Sequence, residues 1–167
     1  KNLALDNIFI DYVGSGTDTG GLHGPGYDKD IPYTPQQILD LDGDLEHEGW
    51  GGYRIDQIEQ NISGWLLLAK AQIILLMIGT NDVSQNYQLD GISRRLDRLI
   101  SKIMEISPSS SLHVASIPPI TTHPGDMEKV MAYNAVIPSI CDMHCRRGAR
   151  VGFIDIFSEL DASTDLV

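Results

Sequence analysis

Residues 73–83 read IILLMIGTNDV, an apolar run that stops abruptly at Gly79-Thr80-Asn81-Asp82. The apolar part, 73–78, has the length and continuous hydrophobicity of a strand buried on both faces, which is typical of parallel sheets. Ligands of open parallel sheets bind beyond the carboxyl ends of the strands. The four residues are therefore predicted to lie at a functional edge, although a plain polar turn before the next helix would use the same residue types.

Strand and helix patterns alternate along the rest of the chain. Besides the strand at 72–78, β-branched and aromatic residues predict strands at 7–14, 112–117 and 149–156. Apolar residues at helical spacing predict helices at 53–69, 88–106 and 126–147. The buried faces of the first two would carry Ile55, Ile58, Ile62 and Leu66, and Leu89, Ile92, Leu96, Leu99 and Ile103. This alternation predicts an α/β fold whose parallel sheet has helices on both faces.

The length of 167 residues suits one domain, 1–167, with a real hydrophobic core. The formal net charge is −11, from 12 basic and 23 acidic residues. Nucleic acids and anionic membranes attract clustered Lys and Arg, so this charge argues against both as partners. A neutral substrate fits the acidic composition better.

Two groups of residues invite a metal hypothesis. Cys141 and Cys145 flank His144, but three such residues do not complete a zinc shell, and free thiols are the simpler interpretation. Residues 40–46 alternate carboxylates as calcium loops do, through Asp40, Asp42, Asp44 and Glu46. Their spacing differs from that of an EF-hand, and a solvated acidic loop is the alternative. We predict no metal and no cofactor, with calcium at 40–46 left open.

Several spaced motifs resemble one known superfamily. HEGWGGYRIDQI (47–58) and LLMIGTNDV (75–83), with DYVGS (11–15) and VASIPPI (114–120), resemble the SGNH hydrolases, also called GDSL-type esterases. Within them the chain looks most like the acetylxylan esterases of carbohydrate esterase family three. The resemblance runs from about residue 7 to about residue 160. It implies a flavodoxin-like three-layer α/β/α sandwich and an extracellular carboxylic-ester hydrolase that acts on acetylated polysaccharide or a small ester.

The resemblance also implies roles for individual residues. Gly52 would donate its backbone N–H, and Asn81 its side-chain NH2, to the oxyanion of a tetrahedral intermediate. Tyr53 and Asp82 would lie on the substrate side, Tyr53 lining the groove and Asp82 bracing the loop. His47 is expected to hold its loop by hydrogen bonds rather than to transfer a proton.

The remaining family motifs do not occur in the sequence. The superfamily carries its nucleophilic serine in GDSI or GDSL on a first strand and its base in a late D-x-x-H-P, and neither motif is found among the 167 residues. We therefore expect a fold without the first central strand and the C-terminal helix, and little or no esterase activity. Two hypotheses stay open: a carbohydrate acetyl esterase, fragmentary or shortened, and a non-catalytic carbohydrate-binding or interaction protein. Assembly into a homo-oligomer could complete the sheet.

Overall fold

The structure, a computed structural model, describes Val13, Gly14 and residues 47–160. The chain divides into two compact units, Lys1–Gly52 and Tyr53–Val167. The described part of the second unit contains, in order, α1 (Ile55–Ala69), β1 (Ile73–Leu76), α2 (Thr80–Ser84), α3 (Ile92–Ile106), β2 (Ser111–Ala115), α4 (Asp126–Arg146) and β3 (Val151–Ile154). Short 3-10 turns, Leu89–Gly91 and Phe157–Glu159, precede α3 and follow β3.

The three strands form a parallel sheet in the order β1-β2-β3. Leu75 of β1 lies opposite His113 of β2, which lies opposite Gly152 of β3. The predicted α/β class with a parallel sheet is thereby confirmed. Both crossovers advance in the same direction across the sheet. Because parallel crossovers are right-handed, α3 and α4 fall on the same face.

The core lies between this sheet face and the helices that cover it. α1 packs against α3, α3 packs against α4, and α4 packs against β3. The predicted buried residues of α1 are at most 8% exposed, and the four that lie in α3 are at most 7% exposed. Leu89, also predicted to be buried, lies in the 3-10 turn and is half-buried. On the sheet, Leu112 and Val114 of β2 are at most 1% exposed. Helical periodicity therefore identified the buried faces of both helices.

The opposite face of the sheet differs in its exposure. Ile73 and Leu75 of β1 are 63% and 71% exposed, and Ile154 of β3 is 40% exposed. Side chains alternate between the two faces of a strand, so these residues share one surface. In the part of the chain that the structure describes, the fold thus shows two of the three layers that the family resemblance implies.

The observed elements are mostly shorter than the predicted ones. Helix α3 begins at Ile92 rather than at residue 88, because Gln88 adopts a left-handed backbone (φ 42°) and a 3-10 turn follows it. Of the predicted strand 7–14, only Val13 and Gly14 are described, and neither lies in a strand. The prediction of one domain over 1–167 stays a prediction.

In the first unit, the described residues show one close backbone approach. A Cβ added to Gly14 would lie 2.3 Å from the carbonyl carbon of His47, so only glycine fits there. His47 accepts a hydrogen bond at Nδ1 from the N–H of Gly49, at 2.9 Å. This contact is of the loop-holding kind expected for His47. Among the described residues, no helix combines the length and the hydrophobicity needed to cross a membrane.

Candidate active site

The exit of β1 is shaped by a close approach of α4. Gly79 has φ 119° and is the N-cap of α2, and a Cβ at this position would lie 2.3 Å from the Tyr133 ring. The Tyr133 hydroxyl donates to the carbonyl of Ile78 at 2.9 Å. The polar stretch is therefore neither a strand end nor a plain turn. It forms the five-residue helix α2, which starts at Thr80 directly after Gly79, and the preceding residue Ile78 is held by Tyr133.

Asn81 lies in α2 with its side chain directed to the segment before α1. Its Nδ2 donates to the carbonyl of Tyr53 at 2.9 Å, and the residue is half-buried. An amide nitrogen carries two N–H groups, so this bond leaves a second donor on the same atom. A fixed nitrogen with one further N–H is the type of group that stabilises an oxyanion.

Asp82, the next residue, is fully buried. Its Oδ2 accepts the N–H of Ile55, the first residue of α1, at 2.9 Å. Its Oδ1 accepts Nη2 and Nε of Arg95 at 2.9 and 3.3 Å. Burial raises the pKa of the Asp82 carboxyl, while the Ile55 N–H and the Arg95 guanidinium act in the opposite direction. Consecutive residues, Asn81 and Asp82, therefore hold Tyr53 and Ile55 in place.

Arg95 was missed by the sequence reasoning. Only 5% exposed, it also donates through Nη1 to the carbonyl of Gln88 at 3.1 Å and through Nη2 to that of Tyr87 at 2.8 Å. One signal could have found it. Arg95 follows Ile92 by three residues and precedes Leu99 by four, so helical spacing places this charge on the buried face.

The exits of the other two strands are also fixed by side chains. Asn134 of α4 pairs with both backbone groups of Ile117, accepting its N–H at Oδ1 and donating Nδ2 to its carbonyl, each at 2.9 Å. Ser116 Oγ accepts the N–H groups of Ile156 and Phe157 at 2.9 Å. The segments after β2 and β3 thus begin at residues held by side-chain hydrogen bonds.

The described residues contain no cluster of three or more His, Cys, Asp or Glu side chains that could hold a metal. Cys141 is buried and Cys145 exposed, both as free thiols, and His144 Nε2 lies 2.7 Å from Asp97 Oδ1. His144 thereby links α4 to α3. The acidic segment 40–46 lies outside the described residues.

The four predicted site residues are placed as follows. Gly52, with φ 78°, is the last residue of the first unit and directly precedes Tyr53 in the chain. Tyr53, Asn81 and Asp82 belong to the second unit, where one hydrogen bond connects Asn81 to Tyr53. An apolar depression of about 240 Å³ lies beside Val83 and Tyr133, and none of the four residues lines it. Their roles toward a substrate stay predictions.

A protein-family model matches the chain over residues 14–166, and the chain belongs to that family, the GDSL-like lipase/acylhydrolases. A solved family 3 carbohydrate esterase from Clostridium thermocellum matches with a TM-score of 0.72 and 31% identity, over 97% of this chain and 68% of that one. A family 3 carbohydrate esterase from Talaromyces cellulolyticus matches with a TM-score of 0.72 and 23% identity, over 95% and 70% of the two chains, which shows the shared fold. The resemblance to SGNH hydrolases and to carbohydrate esterase family three is thereby confirmed.

Two curated relatives are longer than this chain. A "Multidomain esterase" of Ruminococcus flavefaciens is 32% identical over 172 residues, covering 94% of this chain and 21% of that protein. A protein of Acetivibrio thermocellus that bears an endoglucanase name is 34% identical over 115 residues, covering 67% of this chain and 47% of that protein. The chain therefore spans about half or less of the curated relatives it matches.

Proposed function

We propose that this chain is part of a serine esterase that removes acetyl groups from carbohydrate, with acetylxylan-type polysaccharide or a small acetyl ester as substrate. The observation that carries the proposal is the fixed Asn81 side chain at the carboxyl end of β1, held by Tyr53 and braced through Asp82. The family and the 31% identity to a solved family 3 carbohydrate esterase support the substrate class.

The proposed chemistry is acyl transfer through a tetrahedral intermediate. When a serine oxygen attacks the ester carbonyl, a base takes the serine proton and the carbonyl oxygen gains negative charge. The C–O bond to the sugar then breaks, the sugar oxygen takes that proton, and water hydrolyses the acyl-serine to acetate. The second N–H of Asn81 and the backbone N–H of Gly52 would donate to the negatively charged carbonyl oxygen. Donors fixed before the reaction cost no reorganisation when the charge develops, which is why their rigidity matters.

The remaining residues have supporting roles in this proposal. Tyr53 lines the substrate groove, and Asp82 braces the loop beside it. The nucleophile and the base come from Gly-Asp-Ser and Asp-x-x-His motifs, which the 167 residues do not contain. The chain on its own is therefore expected to be inactive or very weak. We further propose an extracellular location and, as one route to a complete sheet, association with a second copy.

The same sequence observation supports a second candidate function. A protein that keeps the donors and the groove without a nucleophile would bind acetylated carbohydrate without cleaving it. Retarded migration of the protein through a gel containing acetylated xylan, with no release of acetate, would favour this candidate over the esterase.

The esterase proposal is tested with the protein that the whole reading frame of this chain encodes. The assay measures the release of acetate from acetylated xylan by that protein. Replacement of Asn81 by Ala should lower kcat by about 10²–10³-fold, because one oxyanion donor is lost. KM should change little, since the charge that Asn81 stabilises exists only in the transition state.

Asn61 offers a matched control. It is an exposed asparagine of α1 whose Nδ2 donates to the carbonyl of Gln57 within the same helix. Asn61→Ala should leave kcat unchanged. Equal losses for the two alanine variants, or no acetate release by the unmodified protein, would contradict the esterase proposal.

A further inference from the structure

Arg95 connects α3 to the candidate active site without belonging to the surface that would meet a substrate. Its guanidinium lies against Asp82 with two hydrogen bonds to Oδ1, and it also donates to two backbone carbonyls of the loop before α3. The side chain is 6% exposed and that of Asp82 is 0% exposed. Solvent can therefore compensate neither charge if the other is removed.

The bonds continue from Asp82 to the proposed oxyanion donor. The second carboxylate oxygen of Asp82 holds the N–H of Ile55, and the neighbouring Asn81 holds the carbonyl of Tyr53. Tyr53 and Ile55 are two residues apart, so both bonds act on one short segment. A carboxylate that rotated or moved outward would release this segment and shift Asn81 with it.

The Tyr87 ring, in the loop before α3, contacts the guanidinium groups of two arginines. The guanidinium carbons of Arg54 and Arg95 lie 4.1 and 5.1 Å from the centroid of the Tyr87 ring. Arg95 thereby has contacts to α2, to the loop 87–88 and to an aromatic ring. A group with so many fixed contacts has one accessible position, which is the property a positioning residue needs.

We propose that Arg95 is a positioning residue of the oxyanion hole, which fixes the Asn81 amide through the buried carboxylate of Asp82. The inference rests on the proposed function, since it gives Asn81 the role of oxyanion donor. It adds a residue of α3 to a site that the sequence motifs place only on the segments 47–58 and 75–83.

The test follows the Asn81 side-chain N–H signals by NMR in the full chain. The pair is identified by its loss in Asn81→Asp. In Arg95→Met the two signals should move to the shifts and water-exchange rate of a free asparagine, because Asp82 no longer holds its place. A folded Arg95→Met protein with unchanged Asn81 signals would overturn the proposal.

Arg98 provides the matched control. It lies on the same helix and pairs with Glu59 of α1 at 3.3 Å, but its side chain is 56% exposed. Arg98→Met removes an arginine–carboxylate contact between α3 and α1 and should leave the Asn81 signals in place. A purely structural role for Arg95 would lower the melting temperature without moving these signals.

Arg95→Lys keeps the proposal testable if Arg95→Met does not fold. Lysine retains the charge but cannot reproduce both bonds to Asp82 together with those to the two carbonyls. The Asn81 signals should then lie between those of the unmodified and free forms, and signals identical to the unmodified ones would overturn the proposal. Because the NMR measurement needs no turnover, absence of ester hydrolysis would count against the proposed function alone.

Discussion

Leu112 and Leu75 lie on adjacent strands of one sheet, yet Leu112 is 0% exposed and Leu75 is 71% exposed. They point to opposite faces. The face of Leu112 is covered by α3 and α4, because two right-handed crossovers in the same direction place their helices on one side, and α1 packs against α3. The face of Leu75 carries other apolar residues at high exposure, Ile73 among them.

The difference shows which part of the molecule holds the candidate site. Tyr133 of α4 contacts Ile78 after β1, and Arg95 of α3 and Ile55 at the start of α1 contact Asp82 of α2. The three contacting helices form one layer, in which α1 packs against α3 and α3 against α4. The site geometry therefore depends on that layer. Residues of the other face should change stability and site geometry little, unless another polypeptide segment covers them in the working protein.

The largest expected contrast is between the two leucines. Leu112→Ala should lower the free energy of unfolding by about 2–5 kcal/mol, because it leaves a cavity in a packed core. Leu75→Ala should lower it by about 0.5 kcal/mol or less, as is usual for exposed positions. Urea unfolding of the two variants measures both values. Comparable losses would show that the face of Leu75 is covered in solution.

Replacement of two glycines, Gly79 and Gly64, by alanine should change the stability of the protein in opposite directions. Gly79→Ala should lower the free energy of unfolding by about 1–3 kcal/mol, since the φ of 119° strains any side chain and a Cβ would lie 2.3 Å from Tyr133. Gly64, exposed within α1, has nothing within 4 Å of an added Cβ. Gly64→Ala should therefore stabilise the protein by about 0.5–1 kcal/mol. Thermal melts of the two variants should shift in opposite directions, and a shift of the same sign in both would contradict this account.

The sequence predicted the covered face better than the site. The spacing of Ile55, Ile58, Ile62 and Leu66 identified a buried stripe because burial of a helix repeats locally along the chain. The GTND stretch predicted a functional edge because it directly follows an apolar run, a pattern that is also local in the sequence. The bond from Asn81 to Tyr53 joins residues 28 apart, and the one from Asp82 to Arg95 joins residues 13 apart. Such contacts depend on how helices meet, which residue type and spacing do not specify.

The smallest expected effect is a difference in reactivity between the two thiols of α4, Cys141 and Cys145. Burial raises the pKa of the Cys141 thiol to about 11, whereas Cys145 is exposed. A thiol reacts as its thiolate, so at pH 8 Ellman's reagent should titrate one thiol in the folded protein and two in urea. Equal reaction rates for both thiols in the folded protein would show that the Cys141 side of α4 is open.

A serine esterase built around Asn81, the function proposed for this chain, has an activated serine. An intact mass spectrum of the whole protein, recorded before and after exposure to a fluorophosphonate that labels activated serines, detects such a residue. We expect one adduct per polypeptide, on a serine within a Gly-Asp-Ser sequence. No adduct on a folded protein would contradict the proposed function and would favour a non-catalytic protein that uses Gly52 and Asn81 only for binding.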